Sequence, residues 1–177
     1  VARNQQFQDL VGGVAKAAVG TKGDRDAVGA AKFPGAAKSV DEEIKEAVAT
    51  IGEHITLRRS EKLEVSDGVV ASYIHGAVGP GLGRIGVLVG LQSSGDKAKV
   101  MAVGKQVAMH IAAANPLAVR PEEIDPALLE RERGVYRGQM EGSGKPAQVI
   151  DKIIEGKLGS FYEQVCLLDQ PSIRDPK

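Results

Sequence analysis

Apolar residues along this chain first recur at helical spacing, then alternate, then return to helical spacing, and these changes of period mark out its elements. Phe7, Leu10, Val11 and Val14 lie three and four residues apart, which predicts an amphipathic helix ending near the GTKGD break at Gly20 to Asp24. Residues 21 to 38 read as a loop. In SVDEEIKEAVATIGE, Ser39 is a candidate N-cap, acids fill the first turn, and Val40, Ile44, Val48 and Ile51 share a face. Gly52 is the natural stop.

From His54 the period falls to two. Ile55, Leu57, Leu63 and Val65 stand between or beside Arg58, Arg59, Glu61, Lys62 and Glu64, which predicts a half-buried strand with room for a bulge. Ser66 to Gly68 marks a turn into VVASYIHG, where Val69, Ala71 and Tyr73 alternate with Val70, Ser72 and Ile74. These two runs predict an antiparallel pair. Beyond a glycine-rich link, RIGVLVGLQ predicts a third strand, more continuously apolar and therefore central.

Helical spacing resumes through Val100, Val107 and Ile111 and stops at Asn115-Pro116. Two further runs follow. In DPALLERERGVYRGQMEG, Leu128 and Val135 are seven apart, as are Leu129 and Tyr136; KPAQVIDKIIEGKLGSFYEQVCLL carries Ile150, Ile154, Leu158, Phe161 and Val165. Asp125 and Ser143 are candidate N-caps and Pro126 takes a favoured first position. Joined by GSGKP, the two predict an antiparallel coiled-coil helical hairpin that projects from the rest. The tail DQPSIRDPK, with two prolines, reads as extended.

Composition narrows the function. The 177 residues carry 23 basic and 23 acidic side chains, no Trp, and 3% aromatics, so the core is built from aliphatic residues and no global field gathers nucleic acid or anionic lipid. The single cysteine, Cys166, in an apolar run, reads as a small buried side chain and fits a reducing compartment. No run reaches the length of a membrane span, and VARNQQFQDL lacks a signal pattern. The expectation is a soluble, cytoplasmic protein with no membrane contact.

The chemistry-bearing motifs are weak. Gly76, Gly79, Gly81 and Gly83 suggest a phosphate loop, but such loops need a following helix whose N-terminus supplies amides, and here a strand lies on either side. His54, His75 and His110 have neither helical pairing nor a cysteine nearby, which speaks against a metal site. His75 at a strand end reads as a surface or capping residue, and His110 inside a helix as a structural or contact residue. Glu122 with Glu123, and Asp41 to Glu43, read as helix-start acids, and RERGVYR as a solvated face. No catalytic residue, metal or cofactor is expected. That profile favours a binding protein over an enzyme.

The strings IGEHITLRR, DGVVASYIHG, GRIGVLVGL, VAMHIAAANP, ERERGVYRGQMEGSGKP and VIDKIIEGKLGSFYEQVCLLDQPSIRDP, in this order over nearly the whole length, resemble the core of bacterial elongation factor Ts. The resemblance implies an α+β fold of small three-stranded antiparallel sheets packed with helices, plus the projecting coiled-coil hairpin. It implies a first core subdomain at 1–66, a second at 67–114 with 164–177, and the hairpin at 115–163. It further implies guanine nucleotide exchange on elongation factor Tu, without covalent chemistry or cofactor, with a homodimer through the hairpin as an added expectation.

In that family a helical module and a Thr-Asp-Phe wedge precede the segment that opens here at Val1, so the first subdomain is expected to be incomplete. Residues carried over as partner contacts are Val1, Ala2, Ile51, Gly52, His75 and Gly76, the two glycines admitting close backbone approach. Outside that carry-over, the hairpin or dimer contacts expected from its own pattern are Leu128, Val135, Tyr136, Ile154 and Phe161, as a helix-to-helix seam. The turn Val78–Leu82 lengthens the family's link between HGA and RIGVLV. The competing reading is a hairpin-mediated oligomerisation or scaffold module without exchange activity. A hydrolase using His75 and Cys166 is the third and weakest.

Overall fold

The computed structural model describes residues 1–174. Among the described residues, six α-helices and one two-stranded antiparallel sheet form an α+β arrangement. The chain falls into two units, 1–104 and 105 onward.

The first unit opens with α1 (Gln5–Val19), started by the Asn4 side chain accepting from the Phe7 N–H, and ended at Gly20. Residues expected to be a loop contain a short helix, α2 (Arg25–Ala30), capped by the Asp24 carboxylate on the Ala27 N–H. Six residues carry too little periodicity to stand out. α3 (Val40–Ile51) begins as the sequence predicts: the Ser39 hydroxyl takes the Glu42 N–H while the Glu42 side chain returns to Ser39, a reciprocal capping box.

Leu10, Ala17, Val28, Val40 and Ile44 are buried together, with Phe33, Ile55 and Leu57 packed on them. Each fully buried Val or Leu contributes roughly 1.5–3 kcal/mol relative to exposure, so this cluster holds three short helices that would not persist singly. Gly13 is part of the fit, because a Cβ there would lie 2.1 Å from the Phe33 ring.

The sheet differs from expectation. β1 (Gly68–His75) pairs with β2 (Ile85–Gln92) in the register Gly68↔Gln92 to His75↔Ile85. The segment from His54 to Val65 joins no ladder among the described residues, so the predicted pairing of that run with VVASYIHG is replaced by a β1–β2 hairpin. Its alternation is used otherwise: Ile55 and Leu57 pack on the helical core, while Val65 and Leu63 come within 3.0 and 3.3 Å of where a Cβ on Gly90 would sit. Hydrophobic period reports burial, and hydrogen-bond pairing needs a neighbour as well.

Ala71 and Val89 are fully or nearly buried opposite one another. A Cβ on Gly104 would fall 2.6 Å from that of Ala71, so α4 (Lys97–Ala114) lies close on this face at Gly104. Asn115, at φ 47, ends the helix before Pro116.

In the second unit, a 3₁₀ turn at Pro121–Glu123 leads to α5 (Pro126–Gln139), with Asp125 as N-cap and Pro126 in first place. α6 (Ala147–Val165) starts at Pro146 without a side-chain cap. The expected Ser143 cap is therefore not used; Gly144, at φ 67, and Pro146 delay the helix beyond it. Arg133 pairs with Glu155 at 3.3 Å and Arg137 with Asp151 at 3.4 Å, which sets the two helices antiparallel. Two arginines of the run expected to be a solvated face thus reach across to α6. Ile154 and Leu158 are buried. Cys166 pairs through an isolated bridge with Ala118.

Candidate functional site

Two elements of the first unit end alike. α3 closes on Ile51, half-buried, and Gly52 follows in the left-handed conformation at φ 76, its N–H on the Val48 carbonyl at 3.0 Å. β1 closes on His75, exposed, and Gly76 follows at φ 62. Both glycines are required by backbone angle: an added Cβ meets nothing within 4 Å at Gly52, and only the Arg84 side chain, at 3.2 Å, at Gly76. Helix and strand are thereby cut short, leaving an apolar residue in one case and an imidazole in the other.

The glycine-rich link is an ordered hairpin turn. Arg84 N–H donates to the His75 carbonyl at 2.9 Å, Val78 N–H to Leu82 at 2.9 Å, and Leu82 N–H to Gly79 at 3.1 Å. Gly83 is needed for space, since a Cβ would lie 2.3 Å from Ile74 Cγ2 and 2.7 Å from the His75 carbonyl oxygen. No helix follows the glycines, so no set of helix-start amides is available to hold phosphate. Ile85, paired with His75 across the ladder, and Val78, in the turn after it, are exposed at 42% and 43%, while Ile74, exposed at 37%, lies on the opposite face of the strand. An apolar surface with one imidazole suits contact with another protein.

His75 has a neighbour that the sequence reading passed over. The Tyr73 hydroxyl lies 3.2 Å from His75 Nδ1. The signal was present in the i, i+2 spacing, which puts both side chains on one face of the strand.

Val1 is exposed and its carbonyl accepts from Asn4 at 2.7 Å; the Ala2 carbonyl takes Gln8 Nε2 at 2.9 Å. No hydrogen bond joins Ile51 or Gly52 to His75 or Gly76 among the described residues. A cavity of about 310 Å³ lies elsewhere in this unit, lined mainly by Phe7, Leu10, Val11, Val14, Ile55 and Leu57. It has an apolar wall and no cluster of titratable groups.

In the second unit, Ile154 is buried, Leu128, Tyr136 and Phe161 are half-buried, and Val135 is 49% exposed. Lys157 stands 5.2 Å from the Tyr136 ring centroid and donates to Gln139 at 2.7 Å. Burial, with the nearby Glu132, pushes the Tyr136 phenol pKa up. His110 is buried and held at both nitrogens: Nε2 is 2.9 Å from Gln170 Oε1, and Nδ1 accepts from the Ile173 N–H at 3.4 Å.

Cys166 is fully buried. Burial first, then the charges of Asp169, Glu122 and Glu123, raise its thiol pKa, the reverse of what a nucleophile needs. Among the described residues no three His, Cys, Asp or Glu side chains are grouped to hold a metal ion, and no helix is long and apolar enough to cross a membrane.

Comparison with known proteins agrees with the sequence motifs. The family model described as elongation factor TS matches residues 1–177. Elongation factor Ts of Sinorhizobium medicae strain WSM419 is 56% identical over 99% of this chain and 57% of its own length. Those of Rhizobium leguminosarum bv. trifolii strain WSM2304 and Agrobacterium fabrum are 57% and 54% identical over the same shares. The chain thus spans little more than half the length of these curated relatives, and across that span it belongs to the elongation factor Ts family.

Proposed function

We propose that this chain is the core of a cytoplasmic guanine nucleotide exchange factor for elongation factor Tu, acting by non-covalent binding. The observation that carries this reading is identity of 54–57% along 99% of the chain to proteins named elongation factor Ts. Exchange requires that the factor bind the nucleotide-free partner more tightly than the GDP-bound one; by linkage, GDP and factor then weaken each other. Ile51 and His75, presented at the ends of α3 and β1, are contact residues in this scheme, with Gly52 and Gly76 allowing the ends to be blunt and Val1 and Ala2 continuing the surface. None has acid–base duty, and no cofactor takes part.

In this reading the chain keeps the division 1–66, 67–114 with 164–177, and 115–163, with α5 and α6 as a projecting coiled coil. The 54–65 segment is then the one strand that this chain supplies to a three-stranded first sheet, and its Ile55 and Leu57 line the groove beside Phe7. Exposure of Val135 at 49% and Val149 at 42% favours, as a second reading, a homodimer through the hairpin. Light scattering on the chain with and without residues 126 to 160 tests it: monomers in both samples would remove it.

The exchange reading is tested by stopped-flow release of labelled GDP from elongation factor Tu. This chain is compared with a longer one restored at its N-terminus through the Thr-Asp-Phe wedge. The restored chain should accelerate release and its His75→Ala variant should do so less well. A restored chain without effect would overturn the reading.

A further inference from the structure

We propose that Tyr73 is the positioning residue for His75, fixing the imidazole so that Nε2–H is the edge offered to a hydrogen-bond acceptor on the bound partner. The inference rests on the exchange reading for the partner's identity, but the Tyr73–His75 contact is made within this chain and needs no partner. Tyr73 is half-buried on the row that includes fully buried Ala71, so its ring is held on the packed face of the sheet. His75 is exposed, two residues on. The ring centroids are 6.1 Å apart with planes at 43°, too tilted for stacking, and the link is the 3.2 Å contact between the hydroxyl and Nδ1.

The backbone beneath His75 is equally defined. Its carbonyl takes the Arg84 N–H, it pairs with Ile85, and Gly76 turns the chain away. The imidazole therefore has a fixed base and one fixed edge. A phenol is a better donor than a neutral imidazole N–H, and an unprotonated imidazole nitrogen a better acceptor than a phenol oxygen, so O–H donates to Nδ1 and the ring proton resides on Nε2. Nε2 makes no hydrogen bond among the described residues. Its complement is a carbonyl or carboxylate oxygen; a partner ammonium or guanidinium would meet a donor with a donor.

Two measurements test this separately. In long-range proton–nitrogen spectra of the labelled chain at pH about 8, where free imidazole is neutral, His75 should show a protonated Nε2 and a hydrogen-bonded, unprotonated Nδ1. Tyr73→Phe should move the Nδ1 resonance to that of an unbonded nitrogen while leaving the thermal midpoint in place. A protonated Nδ1 in the parent chain, or an Nδ1 signal indifferent to Tyr73→Phe, would overturn the assignment whatever the partner does.

In GDP-release assays on the N-terminally restored chain, Tyr73→Phe should slow release roughly twofold to tenfold, the range for one neutral hydrogen bond. In a His75→Ala background it should add nothing, as a residue acting through His75 requires. Equal slowing in both backgrounds would reassign Tyr73 to the packing of the sheet. If His75→Ala leaves release unchanged while the spectra behave as stated, the partner half of the proposal fails and the positioning contact stands.

Discussion

Arg25 clasps Asp41 through two hydrogen bonds of 3.0 Å, Nη1 to Oδ2 and Nη2 to Oδ1, while its Nε donates to the Leu57 carbonyl at 3.1 Å. One guanidinium thereby ties α2 to α3 and fastens to them a segment that has no strand partner among the described residues. Arg25→Ala loses these bonds and a longer one from Nη1 to Asp26 at 3.4 Å, and should lower the thermal midpoint more than Asp41→Ala, which leaves the Leu57 bond in place. Arg25→Lys should not restore it, because an ammonium cannot reproduce the planar fork. Thermal melts followed by circular dichroism check the order; equal effects of the two alanine variants would refute the role given to Leu57.

Adjacent glycines in α1 should respond in opposite directions. At Gly13 a methyl would collide with Phe33, whereas at Gly12 it meets nothing within 4 Å. Gly13→Ala should destabilise by about 1–3 kcal/mol through overpacking. Gly12→Ala should stabilise by about 0.5–1 kcal/mol through helix propensity and lost unfolded-state entropy. Urea denaturation of the two variants beside the parent measures both.

Ser39 and Glu42 make the start of α3 sensitive to acid. The Ser39 backbone N–H at 2.8 Å and its hydroxyl at 3.0 Å both donate to the Glu42 carboxylate, and these bonds hold its pKa below the ordinary value. A carboxyl depressed on folding stabilises the fold above its unfolded pKa, and that stabilisation is lost as pH falls through the folded one. The gap in thermal midpoint between the parent and Glu42→Ala should therefore be open at about pH 7 and narrow at about pH 3, below the usual glutamate range. A gap that stays constant would show that the box does not depend on the ionised carboxylate.

Cys166 should behave as a buried thiol. With full burial and a raised pKa, it should resist a disulfide reagent in the folded chain at pH about 8 and react promptly in denaturant. Rapid reaction of the native protein would contradict the geometry.

His110 should matter for the segment after α6. Gln170 Nε2 donates to the Gln164 carbonyl at 2.6 Å, which turns its oxygen toward His110 Nε2, so the ring's other nitrogen is left to accept from Ile173. His110→Ala strands the Gln170 oxygen and should cost about 1–3 kcal/mol. Hydrogen exchange at the Ile173 amide should accelerate more than exchange within α6; uniform acceleration would point to general loosening.

Much of the fold is visible in short stretches. Ser39 with Glu42, Asp125 with Pro126, and Gly52 each act on groups within three or four residues, so their caps and stops appear in the structure where the residues predict them. Where local signals ran short, the reading failed: α2 has only six residues, and Ser143 could cap a helix that begins instead at Ala147. Of the candidate site, the positions of Ile51 and His75 at element ends follow from the glycines after them. The Tyr73 contact required knowing that the strand exists and which way it faces.

Composition, periodicity and motif order were enough to establish the α+β class, five of the six helices and membership of the family. Strand pairing was decided only by the tertiary structure. The 54–65 run alternates as well as any strand here, yet Ile55 and Leu57 are half-buried on the helical core, Val65 is half-buried beside Gly90, Leu63 stays 42% exposed, and its backbone finds no ladder among the described residues. Alternation records which side chains leave water, a property of one segment. Pairing depends on a second backbone arriving alongside, and that is settled by contacts between residues far apart in the chain.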